Sequence, residues 1–95
     1  MPYVSIRHKV ADYAKWKRAI HAACAFRKTA GEKSFQVYRD RKSPNDLTVV
    51  CSWENGGKMQ KFMKSPQLRK KMKEAGVVGK PAVQFFSKVE DLTVN

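Results

Sequence analysis

Acidic residues are scarce in this chain of 95 residues, in which eight Asp and Glu stand against 20 Lys and Arg. The formal net charge is therefore +12. A field of this sign keeps a protein soluble, repels other copies of it and attracts polyanions, so nucleic acid has to be considered as a partner. The chain has no apolar run near the ~20 residues that a membrane helix needs, and its first residues do not predict a secretory signal.

Cysteine and histidine are scarce as well, with two of each. Cys24 and Cys51 lie in apolar patterns, which is typical of reduced core residues in a cytoplasmic protein; the alternative is a structural disulfide. His8 and His21 have no further ligand at metal-site spacing, and Gly56-Gly57 lacks the rest of a phosphate-binding loop. We therefore expect a cytoplasmic protein with neither a metal nor a cofactor.

Apolar and polar residues alternate in four segments, and this period of two is typical of strands. The predicted strands cover residues 3–10, 34–39, 47–53 and 83–89. The Ser43-Pro44-Asn45-Asp46 run between the second and third of them is a turn sequence, which predicts a β-hairpin.

Two segments have the spacing of helices instead. The first predicted helix covers residues 12–30, with Asp12 as its N-cap and Gly31 as the residue that ends it. The second is predicted to be bent or broken at Ser65-Pro66, because serine caps a new helix and proline suits its first position. It ends at Gly76, and residues 79–81 are predicted to form a loop.

The order of the predicted elements is βαββαβ over residues 1–95. It predicts a single ferredoxin-like α+β domain, in which one four-stranded antiparallel sheet carries its helices on one face.

The two faces of the predicted sheet differ in composition. One is nearly all apolar and is predicted to pack under the helices; it carries Val4, Ile6, Val10, Phe35, Val37, Leu47, Val49, Cys51, Trp53, Val83 and Phe85. The other is half polar, yet it holds the aromatic residues Tyr3, Tyr38 and Phe86. Such a mixture is typical of an interface.

Three stretches carry a resemblance to a known family: HKVADYAKWK (His8 to Lys17), SPQL (Ser65 to Leu68) and KEAGV (Lys73 to Val77). The chain resembles the dimeric α+β barrel proteins and, among them, the antibiotic biosynthesis monooxygenase and cyclase-like branch. The resemblance implies a homodimer whose sheets pack face to face, with a small hydrophobic molecule bound between sheet and helices. Some members oxidise polycyclic aromatics without metal or flavin, others isomerise, cyclise or degrade haem, and many have no known activity. The strongly basic second helix and His21 depart from the family pattern.

His8 is the candidate catalytic residue. By alternation its side chain points under the helices, where an imidazole can act as a base or orient a ligand. The alternative is a core histidine bonded to backbone or to a tyrosine. The candidate lining of a ligand pocket consists of Tyr13, Trp16, Trp53, Met59 and Phe62, since indoles stack on flat ligands and methionine adapts to irregular ones. The same residues can equally fill the core of a small domain.

Nucleic acid binding has one candidate surface. The βαββαβ order also builds the RNA-recognition motif, but Thr48, Val50 and Ser52 on the third strand cannot stack on bases. A looser contact with phosphates through Lys58, Lys61, Lys64, Lys70 and Lys71 stays open, as does an ordinary solvated surface.

The sequence therefore predicts a homodimer that binds a small hydrophobic or aromatic molecule. The resemblance implies cofactor-independent monooxygenase or cyclase-type chemistry as its enzymatic form. The alternatives are a dimer without catalytic activity and a basic protein that binds polyanions or nucleic acid.

Overall fold

The computed structural model describes residues 2–94. Its elements run in the order β1 (Pro2–Val10), α1 (Tyr13–Ala22), α2 (Cys24–Ala30), β2 (Glu32–Arg39), β3 (Asp46–Trp53), α3 (Gly56–Met63), α4 (Pro66–Glu74) and β4 (Val77–Ser87). No helix within residues 2–94 is long and apolar enough to cross a membrane.

The four strands form one sheet in the order β2-β3-β1-β4, and every neighbouring pair is antiparallel. The central strands β1 and β3 pair from Tyr3 opposite Ser52 to Lys9 opposite Asp46. The predicted ferredoxin-like α+β fold is confirmed, with each predicted helix divided in two.

Side-chain caps start three of the helices. The Asp12 carboxylate accepts hydrogen bonds from the backbone N–H groups of Ala14 and Lys15 at 2.9 and 3.4 Å, which places the start of α1 where the sequence predicts it. Asn55 caps α3 in the same way. Ser65 caps α4, with Pro66 at its first position. The predicted break at Ser65-Pro66 is therefore confirmed.

The prediction of one helix over residues 12–30 is wrong, because the chain leaves helical geometry at Ala23 and resumes as α2. The apolar pattern continues across this break although the helix is interrupted, because its members remain three residues apart at Ile20, Ala23 and Phe26. Cys24, predicted to be a core residue, is exposed just after this break, whereas Cys51 is buried.

The predicted loop at residues 79–81 is also wrong, because these residues lie inside β4. Arg7 pairs with Ala82 and Lys9 with Val78, so three residues of β4 face His8 alone. The result is a bulge in β4. Gly79 adopts a φ of +74° that glycine tolerates, and Pro81 has no N–H to give to the ladder. Strand β4 runs from Val77 to Ser87 rather than from 83 to 89.

The apolar face of the sheet packs under the helices only at its centre. Val4, Leu47 and Trp53 are almost completely buried there. Val37, Val83 and Phe85 share this face but remain 38–44% exposed, contrary to the prediction, because the edge strands β2 and β4 reach past the helices. On the opposite face, Tyr3 stacks on Phe86 with ring centroids 5.9 Å apart.

Candidate functional site

A cavity of about 80 Å³ lies between the sheet and the helices. Its floor is made by the covered faces of β1 and β3, and α1 forms one wall. Residues of α2 and α4 lie over it. We call this space the inner cavity; its floor includes Val4, Ile6, His8, Val49, Cys51 and Trp53.

His8 lines the inner cavity from β1 and is 6% exposed. Neither ring nitrogen has a hydrogen-bond partner among the described residues. Its nearest aromatic neighbour is Trp16, with centroids 5.7 Å apart. Burial lowers the pKa of His8, and the negative charge of Asp46 opposes this only in part. The imidazole is therefore neutral at neutral pH and has a lone pair free to accept a proton.

Trp53 supplies a second unpartnered polar group to the cavity. Its side chain is 1% exposed and packs on Phe62 at 4.8 Å between centroids, and its indole Nε1–H has no acceptor among residues 2–94. Since Leu47 is the β3 residue opposite His8, Trp53 lies six residues farther along β3, on the order of 20 Å away at ~3.3 Å per residue. The lining of the inner cavity thus includes two residues with an unpartnered polar group, far apart along the sheet.

Four of the six predicted site residues meet at this cavity: His8, Trp16, Trp53 and Phe62. Tyr13 and Met59 lie outside its lining. The Tyr13 ring lies tilted against Trp16, with centroids 6.1 Å apart, and has the guanidinium of Arg39 over it at 4.0 Å. Met59 packs in the hydrophobic core.

Sequence reasoning missed a buried ion pair in the cavity wall. Arg27 Nε donates to Glu32 Oε1 at 2.9 Å, and Arg27 Nη1 donates to the carbonyl of Ile20 at 2.8 Å. Burial raises the pKa of the Glu32 carboxyl, while the nearby guanidinium acts in the opposite direction. Burial, together with the charge of Glu32, also raises the pKa of the Cys51 thiol, so Cys51 is an unreactive thiol rather than a nucleophile.

The roof of the cavity is loosely packed. Neither α2 nor α4 contains a fully buried residue, and Met63, Leu68 and Met72 along the roof are only half-buried. An engineered apolar cavity of about 150 Å³ holds a benzene molecule, and the inner cavity is smaller than that. A ring-sized ligand would therefore have to displace these flexible side chains, which is a change that methionine tolerates well.

A cation lies at the rim of the cavity. Lys71 of α4 contributes to the lining and holds its Nζ 4.9 Å from the centre of the Phe26 ring. Within residues 2–94, no group of three or more His, Cys, Asp or Glu side chains is placed to hold a metal ion.

Two of the five lysines predicted to contact nucleic acid are already engaged. Lys58 forms an ion pair with Glu54 at 2.9 Å, and Lys71 lies over Phe26. Lys61, Lys64 and Lys70 are exposed and form no ion pair within residues 2–94.

These features define a class of protein: a ferredoxin-like α+β domain that encloses a small apolar cavity between its sheet and its helices. No protein-family model matches the chain, and no curated protein matches it in sequence. Solved structures do match it in fold.

One of them is SnoaB from Streptomyces nogalater, a cofactor-independent oxygenase, with a TM-score of 0.77 and 15% identity over 96% of this chain and 95% of that one. Another is a candidate antibiotic biosynthesis monooxygenase from Bordetella bronchiseptica, with a TM-score of 0.76 and 21% identity over 94% of this chain and 98% of that one. A third, from Deinococcus radiodurans and of the same description, has a TM-score of 0.70 and 17% identity over 100% and 99%. The resemblance stated from the sequence is confirmed at the level of the fold.

Proposed function

We propose that this protein binds a small, flat, hydrophobic molecule in the inner cavity and oxidises it with molecular oxygen, with His8 as the base. The observation that carries the proposal is the pair of unpartnered polar groups, the His8 ring and the Trp53 indole N–H, on residues that line an almost entirely apolar cavity. Leaving a buried polar atom without a partner costs about 1–3 kcal/mol, and a ligand whose polar atom bonds one of these groups would recover that cost.

The chemistry starts with a proton transfer. A substrate methylene made acidic by a neighbouring carbonyl or phenol gives its proton to the neutral His8 ring. The resulting carbanion passes an electron to O₂, and the two radicals recombine to a peroxide anion. The protonated His8 ring then returns its proton, which gives a hydroperoxide. Loss of water then leaves a carbonyl, so that CH₂ and O₂ become C=O and H₂O. The electrons come from the substrate itself.

One feature favours the anionic intermediate, and another keeps His8 unprotonated before the reaction. The Lys71 ammonium at the rim stabilises negative charge in a site with few other polar groups. Burial lowers the pKa of His8 and keeps the ring in its basic form before the reaction. The similarity in fold to SnoaB, a cofactor-independent oxygenase, supports the same type of chemistry.

The protein is further proposed to act as a homodimer that joins through the open face of the sheet around Tyr3, Tyr38 and Phe86. Tyr38 is 56% exposed there, and in the segment after β4 Val89, Leu92 and Val94 are 73–95% exposed. A second copy would cover these apolar groups, and the tail would cross to the partner's sheet. Free Cys24 and Cys51 favour a cytoplasmic location.

The test is oxygen consumption and melting temperature with a panel of anthrones, naphthols and quinones. Binding to the folded state raises the melting temperature. The His8→Gln variant is expected to keep this shift and to lose about 10²–10⁴-fold in turnover, the usual contribution of a general base. A thermal shift without oxygen uptake would leave a binding protein and overturn the catalytic step.

A pair of variants on α1 tests the location of the ligand. Ala19→Leu fills the inner cavity, which Ala19 lines, while Ala22→Leu makes the same change on the exposed side of the helix. The first should abolish the thermal shift and the second should preserve it. Equal effects of the two variants would place the ligand elsewhere.

A further inference from the structure

The helices of this protein carry almost no negative charge. Glu74, the last residue of α4, is the one acidic residue within the four helices. Their basic residues are Lys15, Lys17, Arg18, Arg27, Lys28, Lys58, Lys61, Arg69, Lys70, Lys71 and Lys73.

Most of the carboxylates outside the helices already have partners. Two accept hydrogen bonds from backbone N–H groups and four form ion pairs. In chain order they are Asp12 at the start of α1, Glu32 with Arg27, Asp40 in the hairpin turn, Asp46 with Arg7, Glu54 with Lys58 and Asp91 with Lys88. Among the helix cations, Arg27 and Lys58 are neutralised in this way, and the other nine form no ion pair within residues 2–94.

Five of the unpaired basic residues cluster on α3, α4 and the residue that follows α3. Met59 and Phe62 are buried on the inner side of α3, and helical periodicity turns Lys61 and Lys64 to the outer side. We call Lys61, Lys64, Arg69, Lys70 and Lys73 the basic helix surface; all five are exposed.

The residues of this surface that belong to α4 also lie on the outer side of their helix. Leu68 and Met72 line the cavity from the inner side of α4, so Arg69, Lys70 and Lys73 project away from it. No member of the basic helix surface lines the inner cavity. A partner on this surface would leave the cavity and His8 untouched.

The composition of the helix surfaces limits the class of partner that the basic helix surface can bind. In the part of the chain that the structure describes, the large exposed hydrophobic residues lie in β2, β4 and the tail, and none lies on a helix. The helices thus offer no apolar group to insert into a bilayer and no exposed aromatic ring for unpaired bases to stack on. What remains is a set of exposed cations, which suits a partner that presents phosphates.

We propose that the basic helix surface binds double-helical nucleic acid through its phosphate backbone, without reading bases. Lysine and arginine on exposed helices contact phosphates and release counterions, which supplies affinity without sequence preference. This function is independent of the proposed oxygenase chemistry, because its residues and those of the inner cavity do not overlap.

The experiment measures fluorescence anisotropy of a short, labelled DNA duplex of mixed sequence with the full chain at several salt concentrations. Five phosphate contacts predict a slope of log affinity against log salt of about −4.5, or a loss of about 500-fold between 50 and 200 mM salt. The triple variant Lys61→Gln, Lys64→Gln, Lys70→Gln should reduce the slope to about −1.8.

A second triple variant is the matched control. Arg41→Gln, Lys42→Gln, Lys80→Gln removes the same net charge from the hairpin turn and the β4 bulge, away from the helices, and should leave the slope unchanged. An equal reduction of the slope in both triple variants would mean that net charge alone attracts the duplex, and it would overturn the proposal. So would stronger binding to phosphatidylserine vesicles than to the duplex, or no duplex binding at the lower salt.

Discussion

Arg27 and Glu32 form an ion pair across the end of α2, and their side chains are only 12% and 7% exposed. The guanidinium also lies over the Phe35 ring at 4.4 Å from its centroid. One arginine therefore joins α1, through the carbonyl of Ile20, to β2 and to the wall of the inner cavity.

Removing one member of this pair should destabilise the fold strongly. Arg27→Met leaves the Glu32 carboxylate buried without its partner, which costs about 3–5 kcal/mol. The double variant Arg27→Met, Glu32→Leu should recover most of that loss, because no charge stays uncompensated. Urea unfolding measures both. A double variant as unstable as the single one would contradict this explanation.

Stability should fall on acidification because of His8. Burial lowers its pKa from the ordinary value of 6.5, so the unfolded chain binds a proton at this site before the folded chain does. The free energy of unfolding therefore decreases as the pH falls through about 6.5. The check is to measure the free energy of unfolding of the wild type and of His8→Gln at pH 7.5 and 5.5, both about one unit from that value. The two proteins share their carboxyl groups, so the contribution of those groups cancels in the comparison. The variant should lose less stability than the wild type, and an equal loss would contradict the prediction.

The two thiols should differ in reactivity. Cys24 is exposed, whereas Cys51 is buried and its thiol has a raised pKa. In the native protein a thiol reagent should label Cys24 rapidly and reach Cys51 only after unfolding. The Cys24→Ser variant should then show no fast phase. Fast native labelling of Cys51 would mean that the roof over the cavity opens readily.

Two neighbouring phenylalanines on β4 lie on opposite faces of the sheet. Phe86 lies beside Tyr3 on the open face, and Phe85 lies on the face that the helices partly cover. The two are 38% and 44% exposed. Phe86→Glu should shift the proposed homodimer to monomer in light scattering, because it places a charge in an apolar interface. Phe85→Glu should leave the dimer intact, and monomers from both variants would point to general destabilisation.

Local patterns predicted most of the fold. The strands followed from alternation, and the helix starts at Asp12 and Ser65 followed from side-chain capping, which acts within three residues. The course of β4 through Gly79 and Pro81 did not follow, because these residues break local regularity while β1 maintains the pairing on either side. Pairing with a distant strand is not visible in the local sequence.

The candidate site was predictable only in part. Alternation placed His8 under the helices, but its lack of a partner depends on every element around the cavity. Arg27 and Glu32 are five residues apart, a spacing that does not bring side chains together on a helix surface. They meet because Gly31 turns the chain between them at a φ of +108°. Nothing in the residue pattern predicts that contact.

The bulge in β4 also affects what can pair with this edge of the sheet. Strand β4 lies at the edge of the sheet and is 11 residues long, so it would offer a row of free N–H and C=O groups to another chain. Gly79 bends that row, Pro81 removes a donor from it, and Lys80 adds a charge between them. Another strand is therefore hindered from extending the sheet at β4, which is one of its two edges.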